Sequence, residues 1–258
     1  MIDLKKDVHV FSTPEQVGRA AGMAIESRIV KLQEYREKIR IVFAAAPSQD
    51  TMLEYLSKST QIQWHKIVAF NMDEYLGLPQ KAPQLFAEYL EKHLFSKVQV
   101  KEKNTINPMD SVDKELERYA NLIDKESIDI VCLGIGENGH IAFNDPPVAD
   151  FNDAKTIKVV ELDDECRVQQ VNDGCFATVD DVPKKALTLT IPTLLSGDYL
   201  FCVVLGVNKS NAVRDTLQEP ISTSCPATIL RTHENCSYYF DEEAYSCVEN
   251  VQIDVLNK

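Results

Sequence analysis

The chain has 258 residues, 27 Lys and Arg against 40 Asp and Glu, and a formal net charge of −13. That balance argues against nucleic acid and anionic membrane as partners, because both are bound through Lys and Arg. Hydrophobic content of 44% and charged content of 26% are ordinary globular usage, which argues against disorder and coiled coil.

The elements follow in chain order. The first residues read as a strand, and Thr13-Pro14-Glu15-Gln16 as a capping box with Pro at the first helical position. Val17, Ala21, Ala24, Ile25, Ile29 and Leu32 then recur at helical spacing. Ile39 to Ala45 is a β-branched run suited to a buried strand, broken by Pro47-Ser48-Gln49-Asp50. A helix opens at Thr51 to Leu56, and Ile67 to Phe70 is the next strand, followed by Leu85, Tyr89, Leu90 and Leu94 at helical spacing. A helix over Glu115–Ile123 precedes a strand at Ile128–Leu133. Further strands are expected at Thr156–Val160, Ala186–Thr190, Tyr199–Leu205, Thr228–Leu230 and Tyr238–Phe240, with a helix at Asn208–Leu217. Short apolar strands alternating with helices predict an α/β fold, a three-layer, mostly parallel sheet covered by helices on both faces. Ligands in such sheets sit beyond the carboxyl ends of the strands. That rule points at the loops 46–51, 71–77 and 134–147.

No stretch approaches 18 apolar residues, so no membrane span is expected. The start, Met1 to Asp7, lacks the apolar core of a secretory signal. Seven scattered cysteines without a C-x-x-C pair read as reduced thiols of a cytoplasmic protein, not as disulfides or a zinc site. No repeat or Pro/Gly/Ser linker divides the chain, so one domain over 1–258 is the simplest organisation.

Gly134-Ile135-Gly136-Glu137-Asn138-Gly139 follows a strand and matches the dinucleotide pattern G-x-G-x-x-G. Pro146-Pro147 arrives too soon for the crossover helix whose N-terminus a pyrophosphate needs. What the loop offers is close backbone approach, at Gly136 and Gly139, and a titratable His140 flanked by Asn138 and Asp145. A polar partner on one imidazole nitrogen fixes the tautomer and tunes the other for proton transfer. The bland alternative is a loop histidine that merely hydrogen-bonds backbone; the Asn, Asp and glycines around it favour catalysis. Asp73-Glu74 follows the strand 67–70 on the same predicted sheet edge. Adjacent side chains of an extended segment point oppositely, so one of the two faces the pocket. A carboxylate there is a base for a carbon-bound proton; on local sequence alone a solvated loop acid is the better reading.

Phe70-Asn71-Met72-Asp73-Glu74-Tyr75-Leu76-Gly77-Leu78-Pro79 and Gly134 to Pro146 resemble the two signature segments of the glucosamine-6-phosphate deaminases (isomerases). Val182 to Thr188 with Thr193-Leu194-Leu195, and Leu205-Gly206 with Lys209, resemble two further segments, in order and at suitable spacing. The resemblance implies a Rossmann-like α/β domain. It implies conversion of a 2-amino-2-deoxyhexose 6-phosphate and water into a ketohexose 6-phosphate and ammonia, without metal or organic cofactor. By the same resemblance Asp73 is the base at C2, His140 assists ring opening, and Asn138 and Asp145 are its partners. Relatives are often oligomeric, which leaves a homo-oligomer open.

The sequence departs from the family pattern in four places. Asn138 stands where many members carry Asp, and Asp145 where Glu is usual. A Thr-Gly-Gly-Thr-Pro phosphate loop is replaced by Ala46-Pro47-Ser48-Gln49-Asp50-Thr51, which has no glycine. The arginine expected after Arg167 is missing from Val168 to Phe176. Ser48 and Thr51 hydroxyls, the helix start, Lys209 and a substituting Arg231 or Lys184 are then the expected phosphate ligands, because the −13 body repels a dianion. Two other readings stand beside this one. A 6-phosphogluconolactonase carries a different segment after its histidine, and a non-catalytic sugar-phosphate sensor needs neither Asp73 nor His140.

Overall fold

The computed structural model describes residues 7–249. Met1 to Lys6, most of the segment read for a signal, and residues 250–258 lie outside them. Strand β1 (Val8–Phe11) leads into α1 (Pro14–Gln33). Thr13 Oγ1 accepts the Gln16 N–H at 3.3 Å, as the capping box requires, but the Gln16 side chain returns to the N–H of Ser12 at 3.2 Å, one residue early. There follow β2 (Ile39–Phe43), a 3-10 turn Pro47–Gln49, α2 (Asp50–Ser57), β3 (Ile67–Asn71) and β4 (Asp73–Leu76). Next come α3 (Phe86–Leu90), extended by a π turn to Phe95, then β5 (Glu102–Asn104), α4 (Val112–Asp124), β6 (Ile130–Leu133), β7 (Ile157–Glu161) and α5 (Asp164–Asn172). The chain continues through β8 (Lys185–Leu189), α6 (Ile191–Leu195), β9 (Tyr199–Val204), α7 (Ser210–Gln218), β10 (Cys236–Asp241) and α8 (Glu242–Tyr245).

Seven strands form one sheet in the order β1-β10-β9-β6-β2-β3-β5, every neighbouring pair parallel. The buried central strands alternate between two cores, as a sheet covered on both faces must. Ile41 and Phe43, Ile67 and Ala69, and Phe201 and Val203 face α1 and α2 through Ile25, Ile29 and Leu53. Val42, Phe70, Val131 and Cys202 face α4 and α7 through Tyr119, Ile123 and Val213. Full burial contributes about 1.5–3 kcal/mol for each large apolar side chain, and this is why the runs at 39–43, 67–71 and 130–133 are nearly unbroken. The α1–α2 contact is close because α1 presents Gly18 and Gly22. A Cβ at Gly18 would lie 2.4 Å from Thr51 Cβ, and one at Gly22 would lie 2.6 Å from the Tyr55 ring.

A second sheet, β4-β8-β7, is antiparallel. The expected strands at 156–160 and 186–190 exist within a residue, but they belong to this small sheet and not to the parallel one. It recruits Asp73 to Leu76, expected as loop, by pairing Asp73 with Thr188 and Tyr75 with Ala186. The expected strand Thr228–Leu230 is instead part of a 3-10 helix, Pro226–Thr232. Pro226 opens it, and the Thr228 hydroxyl donates to the carbonyls of Ser222 and Cys225 at 3.1 and 2.7 Å, a local closure that competes with strand pairing. Helix α5 has no counterpart among the expected elements.

Candidate active site

The chain runs from β2 outward through β3 and β5, then returns to place β6 on the other side of β2. The carboxyl ends of β2 and β6 therefore flank a topological switch point, where open α/β sheets bind ligands. A cavity of about 250 Å³ opens there. The segments after β2, β3, β6 and β9 line it with Ser48, Asp73, Gly136, His140 and Lys209, and α5 closes it with Gln169, Gln170 and Asp173. The three loops expected from the sequence all contribute.

His140 is buried at the cavity wall. Its Nδ1 lies 2.8 Å from Asn138 Oδ1 and 2.8 Å from Asp145 Oδ1. Asn138 Nδ2 donates to the same Asp145 oxygen at 3.1 Å, and Asn138 Oδ1 also accepts the His140 N–H at 3.1 Å. Two oxygen acceptors on Nδ1 assign a proton to that nitrogen, and Nε2 has no hydrogen-bond partner among the described residues. The ring rests against Gly136, where a Cβ would lie 2.2 Å from the imidazole, so only glycine admits His140 in this position. Burial pushes the Asp145 carboxyl upward, but the pull of His140 when it carries a proton, and hydrogen bonds from His140, Asn138 and the Asp163 N–H, outweigh it. Asp145 is thereby held below the usual carboxylate range. A tight turn, bridged between Ile141 and Asn144, carries the chain from His140 to Asp145, with Ala142 in the left-handed region at φ +48°. The shorter Asp side chain at 145 thus reaches the imidazole fully.

Asp73 and Glu74 separate as alternation requires. Asp73 faces the cavity. Glu74 is fully buried on the other side, where Oε1 accepts the N–H groups of Tyr75 and Phe86 at 3.0 and 2.9 Å and Oε2 that of Ala87 at 2.9 Å. It caps the start of α3, and burial against those hydrogen bonds leaves its carboxyl at about 7. Burial, then the charges of Glu74 and Asp145, push Asp73 well above the usual carboxylate range.

Across the cavity, Lys209 ends a 3-10 turn, Val207–Lys209, that leads into α7. The preceding Gly206 has φ +86°, and its N–H donates to both carboxylate oxygens of Asp241 at 3.0 Å. Lys209 Nζ lies 3.4 Å from Glu137 Oε1 and 3.6 Å from Asp173 Oδ1. Gln169 locks both acids: its Oε1 accepts the Glu137 N–H at 2.7 Å and its Nε2 donates to Asp173 at 3.2 Å. Sequence reasoning missed Glu137, Gln169 and Asp173. The signal for Asp173 was the acid standing in 168–176, where the resemblance looks for an arginine.

Four expected ligands are not at this site. The Thr51 side chain packs on Gly18 in the α1–α2 contact. Gly139 (φ +80°) faces Cys225, whose Sγ would lie 2.5 Å from an added Cβ. Arg231 spends its guanidinium on carbonyls: Nε on Thr228 at 3.3 Å, one terminal nitrogen on Leu217 at 3.2 Å, the other on Glu219. It ties the end of α7 to the 3-10 helix. Lys184 is exposed and does not line the cavity. Ser48 does line it, and its hydroxyl accepts Gln49 Nε2 at 3.0 Å. A metal could draw on His140, Asp145 and Cys166, whose donor atoms lie within 4.8 Å of one another. Those groups already serve the imidazole and Asp145. Burial foremost, then Asp145, pushes the Cys166 thiol far up.

Residues 12–238 match the family model of glucosamine-6-phosphate isomerases/6-phosphogluconolactonase. A glucosamine-6-phosphate deaminase of Exiguobacterium sibiricum is 33% identical over 246 residues, covering 93% of this chain and 92% of the relative. One from Bacillus thuringiensis is 32% identical, covering 95% and 90%. The solved structure of a monomeric glucosamine-6-phosphate deaminase superposes with a TM-score of 0.84 at 30% identity, over 93% of this chain and 99% of that one. A 6-phosphogluconolactonase from Thermotoga maritima shares the fold with a TM-score of 0.75 at 20% identity, over 91% of this chain and 99% of that one. The chain belongs to the family of glucosamine-6-phosphate isomerases and 6-phosphogluconolactonases.

Proposed function

We propose that the protein, acting as one domain, converts a 2-amino-2-deoxyhexose 6-phosphate and water into a ketohexose 6-phosphate and ammonia, in cytoplasmic amino-sugar catabolism such as that of N-acetylglucosamine. One observation carries this reading: a buried carboxylate, Asp73, and an imidazole with an unengaged Nε2, His140, line the same cavity. His140 Nε2 takes the proton of the C1 hydroxyl and delivers it to the ring oxygen, opening the pyranose to the aldehyde. Asp73 removes the C2 proton, the electron pair moves toward the carbonyl, and a water proton taken up by that oxygen gives an enolamine. Asp73 returns the proton to C1, leaving an iminium at C2. Water adds there and ammonia departs. An elevated Asp73 suits the first transfer, because a carboxylate reluctant to be charged is a stronger base toward carbon. All seven cysteines are free thiols, which supports the cytoplasmic setting. No described helix is long and apolar enough to cross a membrane.

The test is incubation of the pure protein with glucosamine 6-phosphate, galactosamine 6-phosphate and 6-phosphogluconolactone. Ammonia from either amino sugar is the expected result. Lactone hydrolysis alone would assign the lactonase reaction, and binding without turnover a sensor.

A further inference from the structure

The cavity's cation is already taken. Lys209 is the one Lys or Arg among the described residues lining it. Its side chain is 10% exposed, and its ammonium stands between Glu137 and Asp173. Gln169 holds the Asp173 carboxylate and the Glu137 backbone N–H, and Asn172 Nδ2 lies 3.4 Å from each Glu137 carboxylate oxygen. A phosphate dianion placed on Lys209 would stand beside two carboxylates, and like-charge juxtaposition of that kind is costly in a shielded site.

The backbone does not make up the loss. A nest of N–H groups needs alternating right- and left-handed residues. None of residues 44–51 is left-handed: among the described residues the positive φ values fall at 77, 81, 139, 142, 174 and 206. The first residue of α2 is itself an acid, Asp50, bonded to the Tyr89 hydroxyl and lying 3.0 Å from His93 Nδ1. A neutral hydroxyl at C6 meets none of this repulsion and can bond to Ser48 and the acids alike.

We propose that Glu137 and Asp173 are specificity-determining residues: by pairing with Lys209 they lower the preference for a phosphorylated over an unphosphorylated amino sugar. This rests on the amino-sugar reading above. The experiment measures kcat/KM for glucosamine 6-phosphate and for glucosamine in the native protein, Glu137→Gln, Asp173→Asn and the double variant. The phosphorylated/unphosphorylated ratio is expected to rise about ten-fold in the double variant, mainly through KM of the phosphorylated sugar. A ratio that stays the same while both sugars are turned over overturns the proposal. Calorimetric titration with inorganic phosphate at fixed ionic strength needs no turnover. There the double variant is expected to bind about ten-fold more tightly than the native protein, and equal affinity in two variants that melt as cooperatively as the native chain overturns the proposal. Ammonia from neither sugar in the native protein would sink the amino-sugar reading instead, while the phosphate titration still decides the role of the two acids.

Discussion

At one end of the cavity His140 keeps Nδ1 on Asn138 and Asp145 and presents Nε2 to the cavity. At the other, Lys209 keeps its ammonium on Glu137 and Asp173. Both are buried titratable groups with two acceptors, yet the partners do opposite things. An imidazole has two nitrogens, so occupying one sharpens the other. An ammonium has one centre of charge, and two carboxylates spend it. The first end is therefore built to move protons, and the second to temper attraction for anions.

The largest break in this contrast should come at Asp73. Asp73→Asn is expected to lower ammonia release about 10³-fold or more, and to abolish deuterium wash-in at C2 followed by NMR. The same variant reports the energetic cost of the base. Asp73 is raised when folded, so native stability is full below the ordinary carboxylate range and drains as pH rises through the elevated value. Asn stays neutral. Urea melts should show Asp73→Asn gaining on the native protein at pH 8 and not at pH 3.5; no gain at pH 8 would mean the carboxylate is not penalised by burial.

A smaller effect is expected at His140. His140→Gln should slow turnover of the closed pyranose about 10²-fold while sparing an acyclic analogue that needs no ring opening; an equal loss on both would remove His140 from that step. The smallest effect on catalysis should come from Arg231. Arg231→Met should cost about 1–3 kcal/mol of stability through three lost carbonyl partners, with KM for the sugar phosphate unchanged. A raised KM would return Arg231 to the anion end.

The proton-moving end was legible because it is local: Asn138, His140 and Asp145 sit in one loop, at the mouth of a strand whose four residues are all buried. The division between Asp73 and Glu74 followed from strand alternation. The anion end was legible in Ser48 and Lys209 but not in the acids around them, and α5 explains why. Its buried residues include Arg167, Gln169 and Gln170, so no apolar stripe marked a helix, yet that helix delivers Asp173 to Lys209. Arg231 and Thr51 were misplaced for a related reason. Hydroxyl and guanidinium groups serve backbone and packing as readily as ligands, and only tertiary geometry distinguishes the uses. Thr228–Leu230 looked like a strand because β-branching outweighed Pro226, which in fact starts a 3-10 turn.

The small antiparallel sheet has a consequence for assembly. The large sheet can collect β2, β3, β5 and β6 from consecutive parts of the chain, but Asp73 is held by β4 against β8, which is made much later. A ribosome-bound chain that ends before Lys185 can join β2, β3, β5 and β6, four of the seven parallel strands, and still lack the strand that pins its base. Catalytic competence is thus a late event in the life of each molecule, tied to a long-range closure that no fragment ending before β8 can supply.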